Sequence, residues 1–123
     1  LANRCMKIYH KFVGAMNKRV QMKHAQNTNP FVFKHIRPLL DLKSFEDSGP
    51  CVVLASPGML QPGVSLELFE RWCGDGRNGI IFAGYCVEGT VADEVTKKKS
   101  MIPAEITKPD GRILKLRMKT VES

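Results

Sequence analysis

The hydrophobic periodicity of this 123-residue chain predicts an α/β fold: a mostly parallel sheet flanked by helices, with a C-terminal hairpin. Three observations carry that prediction. The opening stretch repeats apolar residues at helical spacing. Two short runs, Cys51-Val52-Val53-Leu54-Ala55 and Ile80-Ile81-Phe82-Ala83, are apolar throughout, the habit of central parallel strands buried on both faces. Near the C-terminus, Pro109-Asp110-Gly111 sits between two strand-like stretches, which predicts a hairpin.

From Leu1 to about Met22, apolar side chains fall at Cys5, Ile8, Tyr9, Phe12, Val13, Met16 and Val20, and the bases fall on the other face. One amphipathic helix is expected there. Asn27-Thr28-Asn29-Pro30 breaks it, Phe31-Val32-Phe33 is a short strand candidate, and residues 36–43 fit a loop or a short helix. Ser48-Gly49-Pro50 turns the chain into the first buried run, and Ser56-Pro57-Gly58-Met59 closes that run as a tight turn. Ser65 is placed to cap a helix over 66–72, with Glu67 and Glu70 near its positive end as a solvated pair at i, i+3, and Gly74-Asp75-Gly76 stops it. Asn78-Gly79 leads into the second run. Gly84-Tyr85-Cys86-Val87-Glu88-Gly89 is the turn after it, and Thr90 caps a short helix to about Val95. Lys97-Lys98-Lys99 reads as a basic loop, and strands over 104–107 and 112–121 complete the hairpin.

Hydrophobic residues make up 43% and charged residues 25%, which excludes collagen-like repeats and wholesale disorder. No apolar run approaches the ~18 residues that cross a bilayer, and no charged-then-apolar leader opens the chain, so an aqueous-phase protein is expected. The chain reads as one partial domain: Leu1 stands where an initiator would, already in helical periodicity, as expected of a segment from a longer protein. Cys5, Cys51, Cys73 and Cys86 are far apart with no C-x-x-C, which predicts buried free thiols and a reducing compartment. His10, His24 and His35 are scattered, so no metal site or other cofactor site is expected within this chain.

The net charge of +7 is unevenly spread. Residues 1–40 hold eight bases, among them Arg4, Lys7, Lys11, Lys18 and Arg19, and no acid; the remainder is nearly balanced. Such asymmetry suits a polyanion, and a solvated helix face explains it equally well. Ligands of parallel sheets gather at the carboxyl ends of strands. Two turns fall there, and their amides near Gly58 and near Gly89-Thr90 are candidates to face a phosphate or carboxylate, unless Gly and Pro merely shape the turns. Neither turn spells a dinucleotide-binding or P-loop motif, and Ser56 lies outside any G-x-S-x-G elbow.

Four blocks in order resemble one family. They are Asn29-Pro30-Phe31-Val32-Phe33-Lys34-His35-Ile36, Ala55-Ser56-Pro57-Gly58-Met59, Glu67-Leu68-Phe69-Glu70-Arg71-Trp72-Cys73 and Ala83-Gly84-Tyr85-Cys86-Val87-Glu88-Gly89-Thr90. The chain resembles the β-CASP metallo-β-lactamase nucleases, and among them the branch that cuts precursor mRNA at its 3′ end before polyadenylation. The related integrator endonuclease is similar in the second and fourth blocks and matches the first less well.

The resemblance implies a partial β-CASP domain, its second half, inserted in a metallo-β-lactamase domain that holds two zinc ions and is absent from residues 1–123. The parent would be a zinc-dependent endoribonuclease acting in the nucleus on pre-mRNA. Its partners would be its own metallo-β-lactamase domain and other subunits of a 3′-end processing complex, with no membrane. The zinc ligands would lie outside this chain, so the segment alone should neither hold zinc nor cut RNA. Ser56, Pro57, Gly58, Met59, Tyr85, Glu88, Gly89 and Thr90 become candidates to line the RNA channel, with Glu88 holding a loop rather than acting as a base. Lys97-Lys98-Lys99 departs from the family pattern and would add phosphate affinity. The cap of an inactive paralogue, serving only as a scaffold, fits the same blocks.

Overall fold

The computed structural model describes residues 2–26, 28, 31–39, 41–43 and 45–122. It divides into two compact units, Leu1–Ser48 and Gly49–Ser123.

In the first unit the expected single helix is two: α1 (Ala2–Lys11) and α2 (Lys18–Ala25), separated by one 3₁₀ turn, Val13–Ala15. Asn17 explains the break. Its side chain accepts from the Val20 amide at 3.0 Å and so caps α2. The freed carbonyls of Gly14 and Met16 accept from the Gln21 amide group at 2.9 and 2.6 Å. Asn competes for local hydrogen bonds that a continuous helix would otherwise make. The helix start expected at Leu1, and Asn27, Asn29 and Pro30 of the predicted breaker, lie outside the described residues. Phe31-Val32-Phe33 is not a strand; the Phe31 ring stacks on Tyr9 with centroids 5.1 Å apart and planes 8° apart. The described residues of 36–43 form no helix.

The second unit holds the core. Its elements are α3 (Val64–Trp72), β1 (Gly79–Phe82), α4 (Val91–Lys97), β2 (Ala104–Thr107), β3 (Ile113–Leu116) and β4 (Lys119–Glu122). β1 and β4 pair in parallel, Gly79 opposite Lys119 and Ile81 opposite Val121. β2 and β3 pair antiparallel, Glu105 opposite Lys115 and Ile106 opposite Leu114, around the predicted Pro109-Asp110-Gly111 turn. Gly111, at φ +83, supplies the left-handed step that this turn needs. Leu60, Phe69, Cys73, Phe82, Val91, Ala92, Val95, Ile106, Leu116 and Met118 pack together as one cluster. Each fully buried Ile, Leu or Val there contributes about 1.5–3 kcal/mol relative to exposure.

The α/β class therefore holds, but with different strands. Residues 51–55, expected as a central strand, form none and have no ladder partner among the described residues, with Val52 92% and Leu54 83% exposed. The parallel neighbour of β1 comes instead from the C-terminal end of the chain. β1 itself is not buried on both faces, since Ile81 is 72% exposed while Phe82 is buried. Apolar content cannot say which face meets the core. The stretch 112–121, expected as one strand, is two. The amides of Arg117 and Met118 both donate to the Cys73 carbonyl, at 2.7 and 3.2 Å, because the end of α3 leaves that carbonyl without a helical donor.

Two smaller expectations also change. Gly63, not Ser65, is the N-cap of α3, and Ser65 lies within its first turn. Cys51 is exposed and Cys5 half-buried; of the four free thiols, Cys73 is the buried one, and burial pushes its thiol pKa up.

Candidate nucleic-acid interface

The two Gly-containing turns meet. The Met59 carbonyl accepts from the Ala92 amide at 3.4 Å, and the Met59 sulfur accepts from the Val87 amide at 3.3 Å. Leu60, the next residue, is buried in the core at φ +53. The first turn is braced from the other side, where the buried Ser65 hydroxyl donates to the Pro57 carbonyl at 2.7 Å. Ser56 and Gly58 stand exposed on its outside.

The second turn is built as an N-cap. Thr90 Oγ1 donates to the Val87 carbonyl at 2.7 Å and accepts from the Asp93 amide at 3.2 Å. The Asp93 carboxylate accepts from the Gly89 amide at 3.0 Å, and Gly89 takes φ +79. The Lys97 ammonium first, and that amide second, hold the Asp93 carboxyl below the usual carboxylate range. Thr90 and Asp93 thus stabilise the start of α4 reciprocally, in the manner of a capping box. This corrects the anion reading of the turn: the Gly89 amide is already satisfied by a carboxylate and the Thr90 amide by the Val87 carbonyl. The depression beside it is lined by Glu88, Gly89, Thr90, Asp93, Glu94 and Lys97, three of them carboxylates, a poor setting for phosphate.

Tyr85, 81% exposed, remains a side chain whose ring is open for stacking. Glu88 is exposed at the rim of the depression.

Arg4, Lys7 and Lys11 are exposed along α1 at spacings of three and four, which places them on one side of the helix. Lys18 and Arg19 open α2, also exposed. The lysine run is not a free loop. Lys97 ends α4 and pairs with Asp93 at 2.9 Å, while Lys98 reaches Glu94 at 2.6 Å and the Glu105 carbonyl at 2.5 Å. Neighbouring carboxylates have spent much of the charge expected to draw phosphate.

Three features escaped the sequence reading. Met59 joins the turns, for which no sequence signal exists. Asp93 completes the cap, and Thr90-x-x-Asp93 was a legible sign of it. Glu70 was read as solvated, yet it bonds the ammonium of Lys108, whose residue is only 4% exposed. Among the described residues, no three His, Cys, Asp or Glu side chains converge to hold a metal ion. The described residues do not fit a zinc site. No helix of the described residues is long and apolar enough to cross a membrane.

The Beta-Casp domain model matches residues 1–95. Over 118 residues the chain is 52% identical to cleavage and polyadenylation specificity factor 73 of Drosophila melanogaster, covering 96% of this chain and 16% of that protein. It is 51% identical over 111 residues to cleavage and polyadenylation specificity factor subunit 3 of Dictyostelium discoideum, covering 90% and 14%. With endoribonuclease ysh1 of Schizosaccharomyces pombe it shares 43% identity over 122 residues, covering 99% and 16%. The chain thus spans 14 to 16% of the length of these relatives. It belongs to the Beta-Casp domain family.

Proposed function

From that membership we propose that the chain is part of the β-CASP cap of a zinc-dependent endoribonuclease that cleaves pre-mRNA 3′ ends ahead of polyadenylation. Residues 1–123 form one partial cap, and the zinc ligands belong to a metallo-β-lactamase domain outside them. The enzyme works in the nucleus within a 3′-end processing complex. In this reading the chain supplies channel wall and no metal-holding group.

The observation that carries the reading is the Met59 joint, which sets the turns of residues 56–59 and 85–90 against each other. Ser56, Gly58, Tyr85 and Glu88 present an exposed rim around that joint. Tyr85 stacks on an RNA base, and the Thr90 cap keeps its turn in one conformation. The exposed apolar side chains of Val52, Leu54 and Val87 fit a protein neighbour better than RNA, and the enzyme's own metal domain is the natural occupant. The exposed bases of α1 add salt-sensitive attraction for the RNA backbone.

Photo-crosslinking the full-length protein to RNA carrying 4-thiouridine tests this. Crosslinks within residues 56–59 or 85–90 are expected, and crosslinks elsewhere alone would overturn the channel assignment. The 123-residue segment by itself is expected to bind no stoichiometric zinc and to cut no RNA. Zinc near one equivalent, or specific cleavage, contradicts that.

A further inference from the structure

In the second unit at least five of the ten Lys and Arg residues are held in ion pairs. Arg77 pairs with Asp75, Lys97 with Asp93, Lys98 with Glu94, Lys108 with Glu70 and Asp110, and Arg112 with Asp110. Against that background one row stands apart. Lys115, Arg117 and Lys119 are exposed at alternate positions through β3 and β4, and none forms an ion pair among the described residues. The intervening Leu116 and Met118 are buried, so the alternation persists across the break between the strands.

Alternate residues of a strand lie about 6.6–6.8 Å apart on one face. That spacing is close to the separation of successive phosphates along an extended polynucleotide strand. Lys115 and Arg117 border one depression, together with Pro103, Ala104 and Glu105. Across the parallel ladder, the partner of Lys119 is Gly79. A Cβ built on Gly79 would sit 3.6 Å from the Lys119 carbonyl, an ordinary contact, so the chain's own packing does not require glycine there. Glycine within a strand often marks a bulge or a close approach by a ligand or another backbone, and Gly79 leaves the strand surface beside Lys119 free of a side chain. A bilayer surface instead calls for a broad apolar face beside the cations; here the outward apolar side chains flanking the row are Ile113 and Val121 along the chain and Ile81 across the ladder.

We propose that the row Lys115, Arg117 and Lys119 is a track for the phosphodiester backbone of a single-stranded nucleic acid. The proposal rests on the endoribonuclease reading and adds to it a surface away from the two turns in sequence. Glu105, exposed and opposite Lys115 in the hairpin, is the carboxylate that limits the track's potential at one end.

The test titrates labelled oligouridine against the full-length protein at several salt concentrations. Lys115→Gln/Arg117→Gln/Lys119→Gln is expected to weaken binding about tenfold or more and to lower the salt slope by about 2, three lost contacts at roughly 0.7 each. Gly79→Val is expected to weaken binding without lowering the melting temperature, since a β-branched residue suits a strand. Glu105→Gln is expected to tighten it about twofold, a gain that misfolding cannot imitate. Unchanged affinity and slope in the triple variant, or no gain in Glu105→Gln, overturns the track. If Arg4→Gln/Lys7→Gln/Lys11→Gln alone weakens binding, the track falls while the RNA reading stands. If the wild-type protein binds oligouridine at no salt concentration, or binds anionic phosphatidylserine vesicles in preference, both fall.

Discussion

The Lys108 ammonium is hydrogen-bonded to the carboxylate of Glu70, 38 residues earlier, and so ties the hairpin turn to the last turns of α3. The Lys108 side chain is 3% exposed and the Glu70 side chain 27%. That difference makes the pair asymmetric. With Glu70 gone, a buried cation retains Asp110, at 3.2 Å, as its one carboxylate among the described residues; with Lys108 gone, a carboxylate near the surface can hydrate. Removing one member of a buried pair is costly when the survivor cannot reach water. Glu70→Leu should therefore lower the melting temperature more than Lys108→Met, and both more than Arg77→Gln, whose pair with Asp75 is exposed. Thermal unfolding of the three variants checks the order.

The pH dependence follows from the same turn. The Arg112 amide and guanidinium together hold the Asp110 carboxyl at about 2. The Arg77 side chain, then its amide, do the same for Asp75, also at about 2. A carboxyl depressed in the folded state stabilises above its unfolded pKa, near 3.9, and that contribution is lost as pH falls through the folded value. Unfolding free energy should decline between about pH 4 and pH 2, and Asp75→Asn/Asp110→Asn should flatten that limb. Lys108 works in the opposite direction: Glu70 raises its pKa, so its contribution is intact below about 10.4 and is lost as pH rises through the higher folded value. Denaturant titrations across the pH range read both limbs.

Thr90 caps α4 and also shapes the second turn. Thr90→Ala should cost about 1 kcal/mol, and Thr90→Ser should restore most of it because the accepting oxygen returns. Urea unfolding measures the cost. Crosslinking at Tyr85 should weaken in step with Thr90→Ala if the cap orders the turn.

Leu116 and Val121 separate core from surface on adjoining strands. Leu116 is fully buried, and Leu116→Ala should cost about 2–5 kcal/mol. Val121 is exposed, and Val121→Ala should stay within about 0.5 kcal/mol. Equal effects in equilibrium unfolding would show that the alternation through β3 and β4 is assigned to the wrong face.

What was legible beforehand was local chemistry. Thr90 announced a helix start because a hydroxyl one residue ahead of a helix satisfies an amide within reach of its own chain. Pro109-Asp110-Gly111 announced a hairpin because the left-handed step at Gly111 needs no distant partner. The family, too, was written in short ordered blocks such as Ser56-Pro57-Gly58-Met59. What was not legible depends on partners far along the chain. Residues 51–55 and 80–83 looked alike, yet only the second run contributes a strand, because β4 supplies its ladder and the first run has none among the described residues. Glu70 looked solvated until the fold brought Lys108 to it, and the Gly89 amide looked open until Asp93 turned back to occupy it. Side-chain type and spacing set what a segment can do by itself; ion pairs, ladder neighbours and spent amides are settled by which distant groups arrive, and that is a property of packing.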